Sequence, residues 1–111
     1  MLGLFAFAMS FGLRGQNLIQ NGSFEESQYC PSNYNQQKLR ILKNWTQPTN
    51  ATPDYFKSCS REAGVPDNIF GSQPALEGLA YAGIVTYSNT KKNYREYLQQ
   101  KLSRKLTAGE M

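Results

Sequence analysis

The chain has 111 residues, of which 40% are hydrophobic and 18% charged, and its formal net charge is +4. That is a globular composition of a size for one small domain, and it excludes a disordered chain or a two-domain one. Histidine is absent, which removes the commonest general base and zinc ligand, so neither a Ser-His-Asp nor a Cys-His site can be built from this chain alone.

The first segment, "MLGLFAFAMSFGLRGQ", has an apolar run from Leu2 to Leu13. It is shorter than the ~20 residues that span a bilayer, and its length fits the apolar core of a signal peptide with cleavage after Gly15. Residues 1–15 are therefore read as an export leader and 16–111 as the module it delivers. No Lys or Arg precedes the apolar run and Leu13 is unusual before a cleavage point, which a start upstream of Met1 would explain. The alternative is a buried first helix. Cys30 and Cys59 are the only cysteines. An even count in an exported chain points to a disulfide, with two buried thiols as the alternative.

"NLIQNGSFEE" (Asn17 to Glu26) reads as a short strand broken by a turn, with Asn21-Gly22 supplying positive φ. "SQYCPSNYNQQ" is a polar loop. "KLRILKNW" reads as a half-buried strand, or as a short helical turn leading into one. From Thr46 to Gly78 the proline and glycine content predicts little regular structure, in a long run that is either functional or stapled. "LAYAGIVTYSN" is the clearest strand: Leu79, Tyr81, Gly83, Val85 and Tyr87 share one face, and the small Ala80 and Ala82 let another element approach the opposite one. "NYREYLQQKLSRKL" suits either a helix or a long edge strand, because Tyr94, Leu98, Leu102 and Leu106 are spaced by four. A turn is expected at Ala108-Gly109. About four strands are legible, fewer than the seven or more of a complete β-sandwich, so the expectation is an incomplete one.

The collinear motifs "NLIQNGSFEE", "CPSNYNQ", "NWxQPTNATPDYFxSCS", "GVPDNIFGSQPAxxGxAYAGI" and "YREYLQQKLxxxLTAG", with x marking positions outside the pattern, resemble the N-terminal module of secreted and cell-surface proteins of gliding-type Gram-negative bacteria. In that family the module often precedes an OmpA-like peptidoglycan-binding domain or a secretion-sorting tail. The resemblance covers Asn17 to Glu110. It implies an all-β, galactose-binding-like jelly-roll β-sandwich, of which this chain would hold the first half to two-thirds. It also implies a structural calcium near the first strand, with Glu25 as the matching carboxylate. The module would be non-catalytic and placed at the cell surface, the outer membrane or outside the cell.

The functional expectation is glycan binding or adhesion, with polysaccharide as partner and no nucleic acid or transmembrane span. Aromatic faces stack on sugar rings, which makes Trp45, Tyr55, Tyr81 and Tyr87 the candidate contacts. For Trp45 the alternative is a core position between sheets, and for Tyr34, Tyr81 and Tyr87 core or rim packing. Asp54 and Asp67 either bind sugar hydroxyls or cap turns. Two other roles stay open: a structural spacer for a downstream envelope-anchoring domain, and an accessory domain of a secreted hydrolase. Six of the twelve basic residues lie in Lys91–Lys105, a stretch that either attracts an anionic polymer or is simply a solvated surface. The sequons at Asn21, Asn44 and Asn50 are read as chance matches in an Asn- and Thr-rich chain.

Overall fold

The computed structural model describes residues 17–33 and 39–109. The leader reading over residues 1–15, Tyr34 and Glu110 lie outside the described residues. Regular structure is short: a turn of 3-10 helix at Leu39–Ile41 and four strands, β1 (Asp54–Lys57), β2 (Asp67–Asn68), β3 (Gly71–Ser72) and β4 (Ala80–Gly83). β1 pairs with β4 and β2 with β3, both antiparallel, in two separate two-stranded sheets. There is no α-helix among the described residues, so what regular structure they carry is β. None of their helices is long and apolar enough to cross a membrane.

The β1–β4 ladder sets Tyr55 opposite Ala82 and Phe56 opposite Tyr81. Successive strand residues point to opposite faces. One face therefore carries Tyr55, Lys57, Ala80 and Ala82, and the other Asp54, Phe56, Tyr81 and Gly83. Tyr55 and Ala80 join Leu39, Ile41 and Leu42 in the buried core, with Phe24, Trp45 and Leu98 packed around them. The small face expected on "LAYAG" is this core face. Each fully buried aliphatic side chain contributes about 1.5–3 kcal/mol. "LRIL" forms a 3-10 turn because Leu42 N–H reaches back to the Leu39 carbonyl at 2.9 Å. That turn puts Leu39, Ile41 and Leu42 inward and leaves Arg40 exposed.

The opening segment is not the strand that its sequence predicts. It is a tight turn, closed by Phe24 N–H on the Asn21 carbonyl at 3.1 Å, with φ of 50° at Asn21 and 62° at Phe24. Asn tolerates this left-handed region, whereas Phe rarely adopts it. The Asn21 side chain takes over the backbone bonding that a strand partner would supply. Its Nδ2 donates to the carbonyls of Glu26 and Lys43 and its Oδ1 accepts from Glu26 N–H, each at 2.9 Å. Trp45 Nε1 donates to the Asn21 carbonyl at 2.9 Å, and the Tyr55 hydroxyl donates to the Phe24 carbonyl at 2.8 Å. Phe24 then stacks on Trp45 with ring centroids 5.1 Å apart, and these contacts hold it in its unusual conformation. Antiparallel pairing begins only at Ser27, opposite Leu42.

The segment after Tyr94 forms neither a helix nor a long strand. Gln99 exchanges backbone hydrogen bonds with Thr46, both at 2.9 Å. The Gln100 amide then clamps the backbone of Gln20, its Oε1 accepting from Gln20 N–H at 2.7 Å and its Nε2 donating to the Gln20 carbonyl at 2.6 Å. Ser103 N–H donates to the Leu18 carbonyl at 3.1 Å. The opening segment thus has its neighbour in Gln100–Ser103. Cys30 and Cys59 form a disulfide across a separation of 29 residues, tying the opening segment to the end of β1. A turn stands at Ala108-Gly109, with Gly109 at φ 81°.

Candidate functional site

The other face of the β1–β4 sheet opens into a cleft of about 430 Å³. Its floor is Tyr81, backed by Phe56, which is only 3% exposed and is paired with Tyr81 across the ladder with ring centroids 5.2 Å apart. Gly83 lets the Phe56 ring lie against β4, since a Cβ there would stand 3.1 Å from Phe56 Cε2. The β2–β3 hairpin forms one wall. Its two-residue tip, Ile69-Phe70, is exposed, and the Phe70 ring meets Phe56 edge-on at 5.9 Å. Edge-to-face pairs of this kind suit the aromatic quadrupole.

Asn68 sets the geometry of the wall. Its Oδ1 accepts from Phe70 N–H at 3.0 Å, and its Nδ2 donates to the Gly64 carbonyl at 3.0 Å and to the Tyr81 hydroxyl at 2.6 Å. One side chain therefore fixes both the hairpin tip and the floor tyrosine. Ser72 and Gln73 add polar groups to the rim.

Asp54 closes the end of the cleft beside Val85. Burial, and then the charge of Glu96, raise its carboxyl from the ordinary 3.8 to about 6. Glu96 itself is buried, with 3% of its surface exposed. Its Oε2 accepts from Val85 N–H and its Oε1 from the Tyr94 hydroxyl, each at 2.7 Å. Glu96 N–H also donates to the Val85 carbonyl at 2.9 Å, so Glu96 cinches the loop between them and holds its charge next to Asp54.

The aromatic residues singled out from sequence are dispersed. Tyr81 lies in the cleft. Tyr55 is only 4% exposed, with its ring in the core and burial lifting its phenol above the usual range, so it offers no face to a ligand. Trp45 is half-buried against Phe24, and its remaining edge borders a separate hollow with Arg40 and Thr46. Tyr87 is exposed on the outer loop, with the Arg95 guanidinium 5.9 Å from its ring centroid. Sequence reading did not pick out Asn68, Phe70 or Glu96, and it took Phe56 only as a core aromatic ahead of Cys59, which agrees with its burial. One signal was available: "NIFG" places two large apolar residues where a hairpin tip ordinarily has Asn-Gly.

Glu25 is a turn clamp. Its Oε1 accepts from Leu79 N–H at 2.8 Å, and the Lys57 ammonium donates to its carbonyl at 2.7 Å. Gly78, at φ 69°, leaves the space that this carboxylate fills. Among the described residues no three His, Cys, Asp or Glu converge in a metal-holding group. The Glu25 carboxylate thus bonds a backbone amide and its carbonyl an ammonium.

The chain matches no family model, no curated protein and no solved structure.

Proposed function

We propose that the chain is a non-catalytic, exported module of galactose-binding-like jelly-roll type that binds glycan at the cell surface through the Phe56–Phe70–Tyr81 cleft. The observation that carries this reading is the cleft's composition. It sets the partly exposed Tyr81 ring near the exposed Phe70 ring, with buried Phe56 backing both, and places amide and hydroxyl groups at the rim. Aromatic faces pack on the apolar faces of sugar rings, while a few placed polar groups fix orientation. The disulfide, with no membrane-crossing helix among the described residues, is compatible with export.

Titration of the full chain with soluble oligosaccharides, followed through its aromatic signals, tests this. Phe70→Ala, at an exposed position, is expected to weaken binding at least about tenfold, the loss of one stacked ring. Binding unaffected by Phe70→Ala would remove the cleft from the proposal.

A second reading draws support from the exposure of Ile69 and Phe70 at the hairpin tip and of Ile84 on the cleft lining. In it the module is a spacer, and a neighbouring envelope-binding domain covers the apolar rim. Under that reading no oligosaccharide binds.

A further inference from the structure

The cleft has a charge character that its aromatic floor alone does not dictate. The lining residues are Phe56, Phe70, Tyr81 and Ile84 with Asn68, Ser72, Gln73 and Asp54, alongside glycine and Val85; none is Lys or Arg. This holds although the whole chain carries +4. Asp54 is thus the one ionisable carboxylate on the lining, and it takes part in no salt bridge or side-chain hydrogen bond among the described residues. The groups that face it offer no positive charge. Glu96, from the loop packed behind, is acidic and accepts from Val85 N–H and the Tyr94 hydroxyl, one bond to each oxygen. Gly83, opposite on β4, has no side chain, and Tyr81 is neutral. Lys57, on the same strand, points to the core face and is spent on the Glu25 carbonyl.

A half-buried carboxylate beside a second, buried one lacks a cation. The Phe70 and Tyr81 rings that line the same cleft supply the negative π-faces that attract one. We infer that the cleft selects glycans bearing a free, protonated amine, with the ammonium seated between the Asp54 carboxylate and the Phe70 and Tyr81 rings. This deepens the glycan-binding reading and rests on it. Acidic sugars are disfavoured by the same arrangement, since their carboxylates would meet Asp54 and Glu96 with no cation to offset them.

The test compares a β-1,4-linked glucosamine oligomer with its fully N-acetylated counterpart of equal length, titrated into the full chain at neutral pH. The amine form is expected to bind roughly tenfold tighter, the scale of one cation–π and carboxylate contact. Lowering the pH through about 6 protonates Asp54 while the glucosamine amine gains charge, so a preference that collapses rather than grows on acidification reports the carboxylate. Asp54→Asn removes the preference at neutral pH, and its melting curve shows that it is folded. A trilysine peptide separates the sugar from the amine, and it is expected to bind at least about tenfold more weakly than the glucosamine oligomer because it cannot stack.

Equal binding of the two oligomers, or tighter binding of the acetylated one, overturns this inference and leaves glycan binding intact. So does a preference that survives Asp54→Asn. Trilysine binding as tightly as the glucosamine oligomer overturns the saccharide part. Binding of neither oligomer overturns the inference, and the glycan reading falls with it only if no glycan on an array binds either.

Discussion

Asp54 and Asn21 show how much single residues decide here. The Asp54 carboxyl is raised from 3.8 to about 6, so the folded chain keeps a proton that the unfolded chain releases. Stability contributed at Asp54 is therefore full below pH 3.8 and falls as pH rises through about 6. Asp54→Asn is expected to stabilise the chain by about 1 kcal/mol at pH 8, a figure discounted for solvent screening of a partly exposed group, and by nothing measurable near pH 3. Thermal melts of both proteins across that range check the sign. Asn21→Ala, which loses three side-chain hydrogen bonds and an Asn at positive φ, is expected to cost about 2–3 kcal/mol in chemical denaturation. At this scale the sequence was partly legible. Asn21 was read correctly as a positive-φ residue, because its side chain tolerates that region. Its role as a substitute strand partner was not legible, because that depends on Lys43, which is distant in sequence. Asp54 and Glu96 were unreadable as a pair for the same reason.

Among the elements, β4 was the most legible, since its small and large residues alternate with period two and the two faces follow directly. Only Ala80–Gly83 of the predicted run pairs as strand, because its ladder partner, β1, is four residues long. β1 itself was hidden: Tyr55 and Phe56 are both buried on opposite sides of the sheet, which erases the alternation that marks a strand open to water on one face. The opening strand was predicted and is absent, since local side-chain bonds won over ladder bonds. The β2–β3 hairpin was masked by its apolar tip. Asn68→Ala is expected to release both Phe70 and Tyr81. It should destabilise by about 1–3 kcal/mol through the lost bonds of a part-buried amide and weaken oligosaccharide binding as well. Phe70→Ala, at an exposed ring, is expected to change melting far less than it changes binding. Paired melting and titration data for the two variants separate the shaping of the cleft from contact with a ligand.

On the scale of the whole molecule, cross-links take the place of extensive sheet. The disulfide, the Gln100–Gln20 clamp and the Thr46–Gln99 pair all bring together segments far apart in sequence. A disulfide closing a loop of about 30 residues stabilises by roughly 3–4 kcal/mol in the chain-entropy model, a large share of what a small domain has. Reduction, or Cys30→Ser with Cys59→Ser, is expected to lower the denaturation free energy by about that amount. An even pair of cysteines made the disulfide legible from sequence. The cleft was not legible, because it is assembled from β1, the β2–β3 hairpin and β4, whose mutual placement no local pattern encodes. A glycan array probed with the full chain and with Phe70→Ala tests the account most directly. The account predicts binding by the full chain, strongest on glycans with free amines, and its loss in Phe70→Ala with the fold intact. No binding to any glycan, or binding that Phe70→Ala leaves unchanged, would contradict it.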